Sequence, residues 1–174
     1  YARLAFSQGV VGAVVDCHDI VFQEFPSETS LAISISGCPV HCPDCNSKWL
    51  WEDKGETLDE LSLDRLIERS PGITCVGFMG GDQNPAYINA LAEYVKTKYP
   101  KLKVGWYSGR DDLDVYSKKT ELKNFDYIKL GRFDINFGPL NEPTTNQRLY
   151  RIDHEDVGNK LVNITKEFTS NDVI

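Results

Sequence analysis

The sequence predicts an α/β fold assembled from βα units, with extra β segments at both ends, and three observations carry the prediction. Four apolar runs of strand length, residues 31–36, 73–79, 103–107 and 125–130, alternate with stretches of helical or polar character. That is the pattern of parallel strands joined by right-handed crossovers. Residues 73–79 (ITCVGFM) are apolar almost throughout, as expected of a parallel strand covered on both faces. Each run also ends at a glycine turn, at Gly37, Gly80-Gly81, Gly109 and Gly131. A shared rim of such turns, at the C-terminal ends of strands, is where α/β folds build their sites.

In chain order, residues 10–16 (VVGAVVD) and 20–25 (IVFQEF) are rich in β-branched and aromatic residues and read as two short strands. Cys17, His18 and Asp19 lie between them; His18 reads as a turn residue and Cys17 as a small core residue or a spare thiol. Leu31, Ile33 and Ile35 alternate with Ala32, Ser34 and Ser36, a strand with one apolar face and one face of small side chains. It runs directly into Gly37 and Cys38. Thr57 to Glu60 has the form of a capping box, and Leu58, Leu61, Leu66 and Ile67 supply apolar positions for a helix ending before Pro71. Cys75, inside the next strand, reads as a buried core thiol.

Asn84 followed by Pro85 is a helix start. Tyr87, Ala90, Leu91, Tyr94 and Val95 give that helix one apolar face, and Pro100 closes it. Residues 111–123 are polar with weak helical periodicity. Residues 138–146 read as loop, and 149–153 and 160–164 as terminal strands.

At 174 residues the chain is expected to form one domain, 1–174. A net charge of -7 and a pI near 5.0 argue against a nucleic-acid partner. No apolar run approaches the ~20 residues needed to cross a bilayer, so no membrane partner is expected. Residues 3–15 lack a signal-peptide pattern. The five cysteines are clustered rather than spread like a disulfide framework, so a cytoplasmic location and metal binding are expected. Tyr1 in place of Met leads one to expect the true start upstream.

The chemistry-bearing stretch is residues 37–51, GCPVHCPDCNSKWLW, with Cys38, Cys42 and Cys45 on one loop stiffened by Pro39 and Pro43. Three thiolates there can hold three corners of a metal site. Iron–sulfur clusters are held by cysteine thiolates, whereas a closed structural zinc site wants four ligands. His41, or Cys75 from elsewhere, is the candidate fourth. Trp49 and Trp51 either shield the site or cap a core edge.

This loop resembles the signature of the radical S-adenosylmethionine superfamily, in which three cysteines bind a [4Fe-4S] cluster whose fourth iron chelates the methionine end of S-adenosylmethionine. Gly80-Gly81-Asp82 resembles the glycine-glycine-acid turn that follows the second strand of that family. The segments WYSG (106–109), DYIKLGRF (126–133) and TNQRLYRI (145–152), with its Asn146-Gln147 pair, are similar to the anaerobic ribonucleoside-triphosphate reductase activating proteins. Asp44 and Asn46 depart from the residues usual around the third cysteine, and Lys129 stands where some relatives have Asp.

The resemblance implies a shortened, partial (βα)6-type radical SAM barrel, open enough to admit a protein segment. It implies metal ligation by Cys38, Cys42 and Cys45. It also implies S-adenosylmethionine contacts from Asp44, Cys45 and Asn46 and from Gly80, Gly81 and Asp82, with Gly81 foremost. Ser108 and Lys129 are weaker candidates for ribose or carboxylate contacts, with a turn hydroxyl and a solvated or ion-paired lysine as the plainer readings. The activity implied is reductive cleavage of S-adenosylmethionine to a 5′-deoxyadenosyl radical that installs a glycyl radical on anaerobic ribonucleoside-triphosphate reductase. A one-electron donor such as flavodoxin or ferredoxin would supply the electron. Asn146, Gln147 and Arg148 are expected in a loop that faces the partner or covers the cofactor. The rival expectations are activation of another glycyl radical enzyme, of the formate-lyase type, and a zinc-stabilised binding module.

Overall fold

The computed structural model describes residues 6–7, 18–22, 24–111, 121–155 and 158–169. Its strands are β1 (Phe6–Ser7), β2 (His18–Phe22), β3 (Thr29–Ser34), β4 (Glu56–Thr57), β5 (Cys75–Met79), β6 (Lys103–Tyr107), β7 (Tyr127–Leu130), β8 (Arg148–Asp153) and β9 (Lys160–Asn163). The helices are α1 (Glu60–Glu68), α2 (Pro85–Lys98) and the short α3 (Thr165–Thr169). β1 and β4 pair in parallel as a small separate ladder. The other seven strands form one mixed sheet in the order β2-β3-β5-β6-β7-β8-β9.

The expected α/β fold is present, with extra β segments at both ends, and among the described residues the sheet does not close into a barrel. β3, β5, β6 and β7 run parallel at its centre, while β2 on one side and β8 and β9 on the other are antiparallel. Connection length explains part of this. A parallel crossover takes a dozen or more residues, and only six separate β2 from β3, and six β8 from β9.

The pleat sorts side chains onto two faces. Leu31, Ile33, Val76, Phe78, Val104, Trp106, Ile128 and Leu130 face α1 and α2, and pack with Leu63, Leu66, Ile67, Ile88, Leu91 and Val95 in the main core. The opposite face carries a second cluster centred on Phe25, with Cys75, Tyr127, Leu149 and Ile164. Phe25 stacks on Tyr127 at 5.1 Å and meets Tyr107 edge-on at 5.3 Å. Gly77 and Gly105 leave room for its ring, since a Cβ on Gly105 would lie 2.1 Å from it. The inner face is thus packed at its base.

Several local expectations shift. α1 is capped by Asp59 and Ser62 in place of Thr57 and Glu60. Asp59 accepts the Ser62 N–H and donates its own N–H to the Ser62 hydroxyl, each at 2.8 Å. Thr57 is engaged in β4, which moves the cap two residues on. α2 starts as expected, with Asn84 accepting the Tyr87 N–H and Pro85 at the first position. Its buried stripe runs through Ile88, Leu91, Ala92 and Val95; Ala90 is exposed. His18 lies in β2, paired with Ile33, and is not a turn residue. The expected strand at 10–16 and Cys17 lie outside the described residues, as does most of 111–123; a 3-10 turn, Leu122–Asn124, precedes β7.

Candidate functional site

The four parallel strands end on one rim, and backbone hydrogen bonds tie their turns together. Ile35 N–H donates to Met79 O, Gly80 N–H to Tyr107 O, Ser108 N–H to Lys129 O and Gly131 N–H to Arg110 O, all within 3.0 Å. The cysteine loop leaves β3 at this rim. Its ends are closed by Cys38 N–H to Leu50 O and Gly37 N–H to Glu52 O. Val40 of the loop rests on Gly109, where a Cβ would approach its Cγ2 to 2.9 Å. Gly109 thus sets how closely the loop sits on the end of β6.

The Gly80-Gly81 turn fits beside the loop for a definable reason. Both residues have positive φ, +109° and +95°, a region that disfavours side chains. A Cβ on Gly80 would also meet Ile35 O at 3.0 Å. The Trp106 indole N–H donates to Gly80 O at 2.8 Å and pins the turn from below. Gln83 Nε2 donates to Ser36 O at 2.6 Å and joins the turn to the base of the cysteine loop.

Asp82 is 2 % exposed. Its Oδ1 accepts the Ser108 hydroxyl at 2.5 Å and its Oδ2 the Gly109 N–H at 2.9 Å. Asp82 is therefore a strut between two turns of the rim, and Ser108 is held as a turn hydroxyl. Arg110 adds to the strut by donating to Asp82 O at 3.3 Å.

Lys129 is neither solvated nor ion-paired in the ordinary sense. It points to the inner face, is 7 % exposed, and its Nζ donates to Gly131 O at 2.7 Å while lying 5.7 Å from the Tyr107 ring centre. Burial pushes its ammonium down to about 8, against the opposing fields of Asp82, Cys42, Asp111 and Cys45. Those opposing fields place the amine among the cysteine loop and the acid turn. An ammonium has three donors, and among the described residues one acceptor, Gly131 O, is bonded to this one. Gln147, also buried, donates Nε2 to the same Gly131 O at 3.3 Å and Asn146 Nδ2 donates to Arg132 O at 3.0 Å. This pair braces the turn beneath Lys129, while Arg148, expected with them, is exposed at the start of β8.

Among the cysteines, Cys42 is buried and Cys38 and Cys45 half-buried. Burial pushes the Cys38 thiol up, and the backbone N–H groups of Val40 and His41 pull it the other way. The Ser47 N–H donates to Cys45 Sγ at 3.3 Å. Asp44 and Asn46 are exposed on the loop. The proposed fourth ligands are held elsewhere. The His41 ring stacks on Trp51 at 4.7 Å. Cys75 pairs with Ser30 at the opposite, N-terminal end of the parallel strands, about 13 Å down β5 from Met79. Among the described residues no three His, Cys, Asp or Glu form a group that could hold a metal ion. The loop's own three cysteines do not make such a group either.

Gln83, Arg110 and Trp106 are the site residues that sequence reasoning passed over. Only Trp106, adjoining a strand-end glycine turn, carried any signal, and it acts through register: β6 pairs Trp106 with Phe78 of β5, which brings its indole under the next turn.

The chain is thus an α/β protein whose sheet carries a three-cysteine loop beside the glycine turns of its rim. A family model described as a 4Fe-4S single cluster domain matches residues 29–152, and the chain belongs to that family. No curated protein and no solved structure gives a significant match. The chemistry of the donors fits the group, since cysteine thiolates are the ligands such a cluster takes, although the three thiols do not stand together as the ligands of a single ion would.

Proposed function

We propose that the chain is a radical S-adenosylmethionine activating enzyme that installs a glycyl radical on anaerobic ribonucleoside-triphosphate reductase. The observation that carries the reading is the meeting of four things on one rim: the three-thiol loop, the Gly80-Gly81 turn, the Asp82 strut and the buried Lys129 amine. The sequence resemblance of residues 106–109, 126–133 and 145–152 supplies the particular partner.

Cys38, Cys42 and Cys45 would hold the cluster. The bound cluster and S-adenosylmethionine would supply a 5′-deoxyadenosyl radical that takes a hydrogen atom from a glycine Cα of the partner. The chain's own residues bind, orient and exclude water. Gly80 and Gly81 let backbone approach the methionine end of the cofactor, where a side chain would block it. Lys129 turns its remaining N–H groups to the carboxylate; a charge-assisted bond there is about twice as strong as a neutral one. Asp82 keeps the Ser108–Arg110 turn from moving and keeps Lys129 charged. Phe25, Tyr107 and Met79 close the inner face below and keep water from the reacting atoms. A one-electron donor of flavodoxin or ferredoxin type completes the reaction.

The test is anaerobic incubation of the cluster-loaded protein with reductant, S-adenosylmethionine and the purified reductase. The expected result is a glycyl radical doublet by EPR on the reductase, with one 5′-deoxyadenosine formed per radical. Cofactor cleavage without any radical on that partner, and with one on a formate-lyase type partner, would move the assignment there.

A further inference from the structure

Three large apolar side chains are exposed among the described residues: Leu61 alone on α1, and Ile135 and Phe137 together beyond β7. Single exposed hydrophobics are ordinary. The pair is different because of what presents it. Residues 132–146 form a closed loop whose ends touch: a Cβ on Gly131 would meet Gln147 Cα at 3.1 Å and Asn146 O at 3.4 Å. Inside it, Asp134 Oδ1 accepts the Asn136 N–H at 2.9 Å, and Asp134 O accepts the N–H groups of Phe137 and Gly138. The Thr144 hydroxyl donates to Phe137 O at 2.8 Å and ties the far side down. Compact surface loops of this kind, with close ends and packed by their own side chains, are frequently functional.

The platform stands on the catalytic rim. Its base is Gly131, whose carbonyl accepts from both Lys129 and Gln147. Ile135 is 61 % and Phe137 47 % exposed, so two apolar groups stand in solvent on the loop that leaves the rim at Gly131 rather than in the core. The loop's other end, Glu142 and Thr145, walls a cavity of about 750 Å³ shared with Arg148, Ile164 and Lys166. A cavity of that size accommodates an inserted ligand or side chains, and its mixed cationic and anionic lining suits neutral peptide rather than a polyanion.

We infer that this loop is the docking platform for the protein substrate, with Ile135 and Phe137 as anchors for the extended segment that carries the glycine to be activated. The inference rests on the activating reading and adds a place to it. The segment lies across the platform with its glycine toward Lys129 and one flank in the cavity. An apolar anchor pair on a loop tied by its own hydrogen bonds loses little entropy on binding, and few such residues carry most of an interface's energy.

The test pairs two double variants of the full chain, Ile135→Ser with Phe137→Ser and Ile135→Leu with Phe137→Leu. Each is loaded with cluster and assayed for iron, for the EPR change on adding S-adenosylmethionine, and for affinity and radical yield with the purified reductase. The serine pair is expected to keep iron and the EPR change, and to lose at least about tenfold in affinity and in radical formation at limiting reductase. The leucine pair is expected to stay within about threefold of wild type. Wild-type affinity and yield in the serine pair would overturn the docking assignment while leaving the activating reading intact. A wild-type protein that cleaves S-adenosylmethionine but neither binds nor activates the reductase would overturn both. Loss of the EPR change in the serine pair would place these residues in the cofactor site and overturn the platform.

Discussion

Replacing Lys129 with Met asks whether the amine is kept for the fold or for the ligand. An amine held at about 8 against an ordinary 10.5 carries a burial penalty of about 3 kcal/mol at neutral pH. Met fills similar volume without charge and forfeits the bond to Gly131 O, a loss of about 1 kcal/mol. The cluster-free variant should therefore be more stable than wild type by about 2 kcal/mol at pH 7, or about 4–8 °C in Tm for a chain of this size. The penalty is complete below pH 8, where the folded protein must carry the charge. It falls as pH rises from 8 to 10.5, because there the unfolded chain binds more protons than the folded one, and it is gone above 10.5. The advantage of Met should shrink through that window and change sign at its upper end. Urea unfolding of both cluster-free proteins at pH 7 and pH 10 measures this, and the buried Cys75 and Tyr107, whose ionisation burial also opposes, are common to both and cancel. The loaded variant should show a weakened EPR response to S-adenosylmethionine. A variant less stable than wild type by the same amount at both pH values would refute the reasoning and make Lys129 a structural ion.

Asp82→Ala should destabilise by about 3–5 kcal/mol in urea unfolding, since it takes an acceptor from the Ser108 hydroxyl and from the Gly109 N–H and removes the first of the charges that oppose the burial of Lys129; Asp82→Asn should cost less than half of that. Gly109→Ala drives a methyl group into Val40 and should lower iron loading several-fold, with the double variant Gly109→Ala, Val40→Ala recovering most of it; no recovery would mean that the loop is not positioned by this contact. Cys75→Ala should bind as much iron as wild type and lose about 1 kcal/mol of stability, whereas Cys38→Ala should lose the cluster. Iron lost from Cys75→Ala would bring the fourth protein ligand back.

The central strands were legible because each is a short apolar run stopped by a glycine turn, and residues 103–107 were bounded without error. The start of α2 was legible for the same kind of reason, since Asn84 and Pro85 act locally. The capping of α1 was not, because Thr57 looks like a cap until β4 claims it, and that pairing is with β1, about 50 residues earlier. The antiparallel course of the flanking strands was hidden as well. Strand direction at β2, β8 and β9 depends on connection length and long-range pairing, which periodicity does not carry. At the site, the cysteine loop and the glycine turn announced themselves by spacing. The inward strut of Asp82, the burial of Lys129 and the clamp of Gln83 arise only when β3, β5, β6 and β7 fall into register. Asp82 is legible in sequence as the acid of the glycine turn, but the contacts of its two oxygens with Ser108 and Gly109 are not.

The central claim is a cluster on three cysteines with one iron left open to S-adenosylmethionine, and the most direct measurement is anaerobic iron and sulfide analysis joined to EPR of the dithionite-reduced protein. The account predicts about four irons per chain and a spectrum that shifts when S-adenosylmethionine is added. Stoichiometric zinc with no reducible cluster, or a four-iron spectrum indifferent to S-adenosylmethionine, would contradict it.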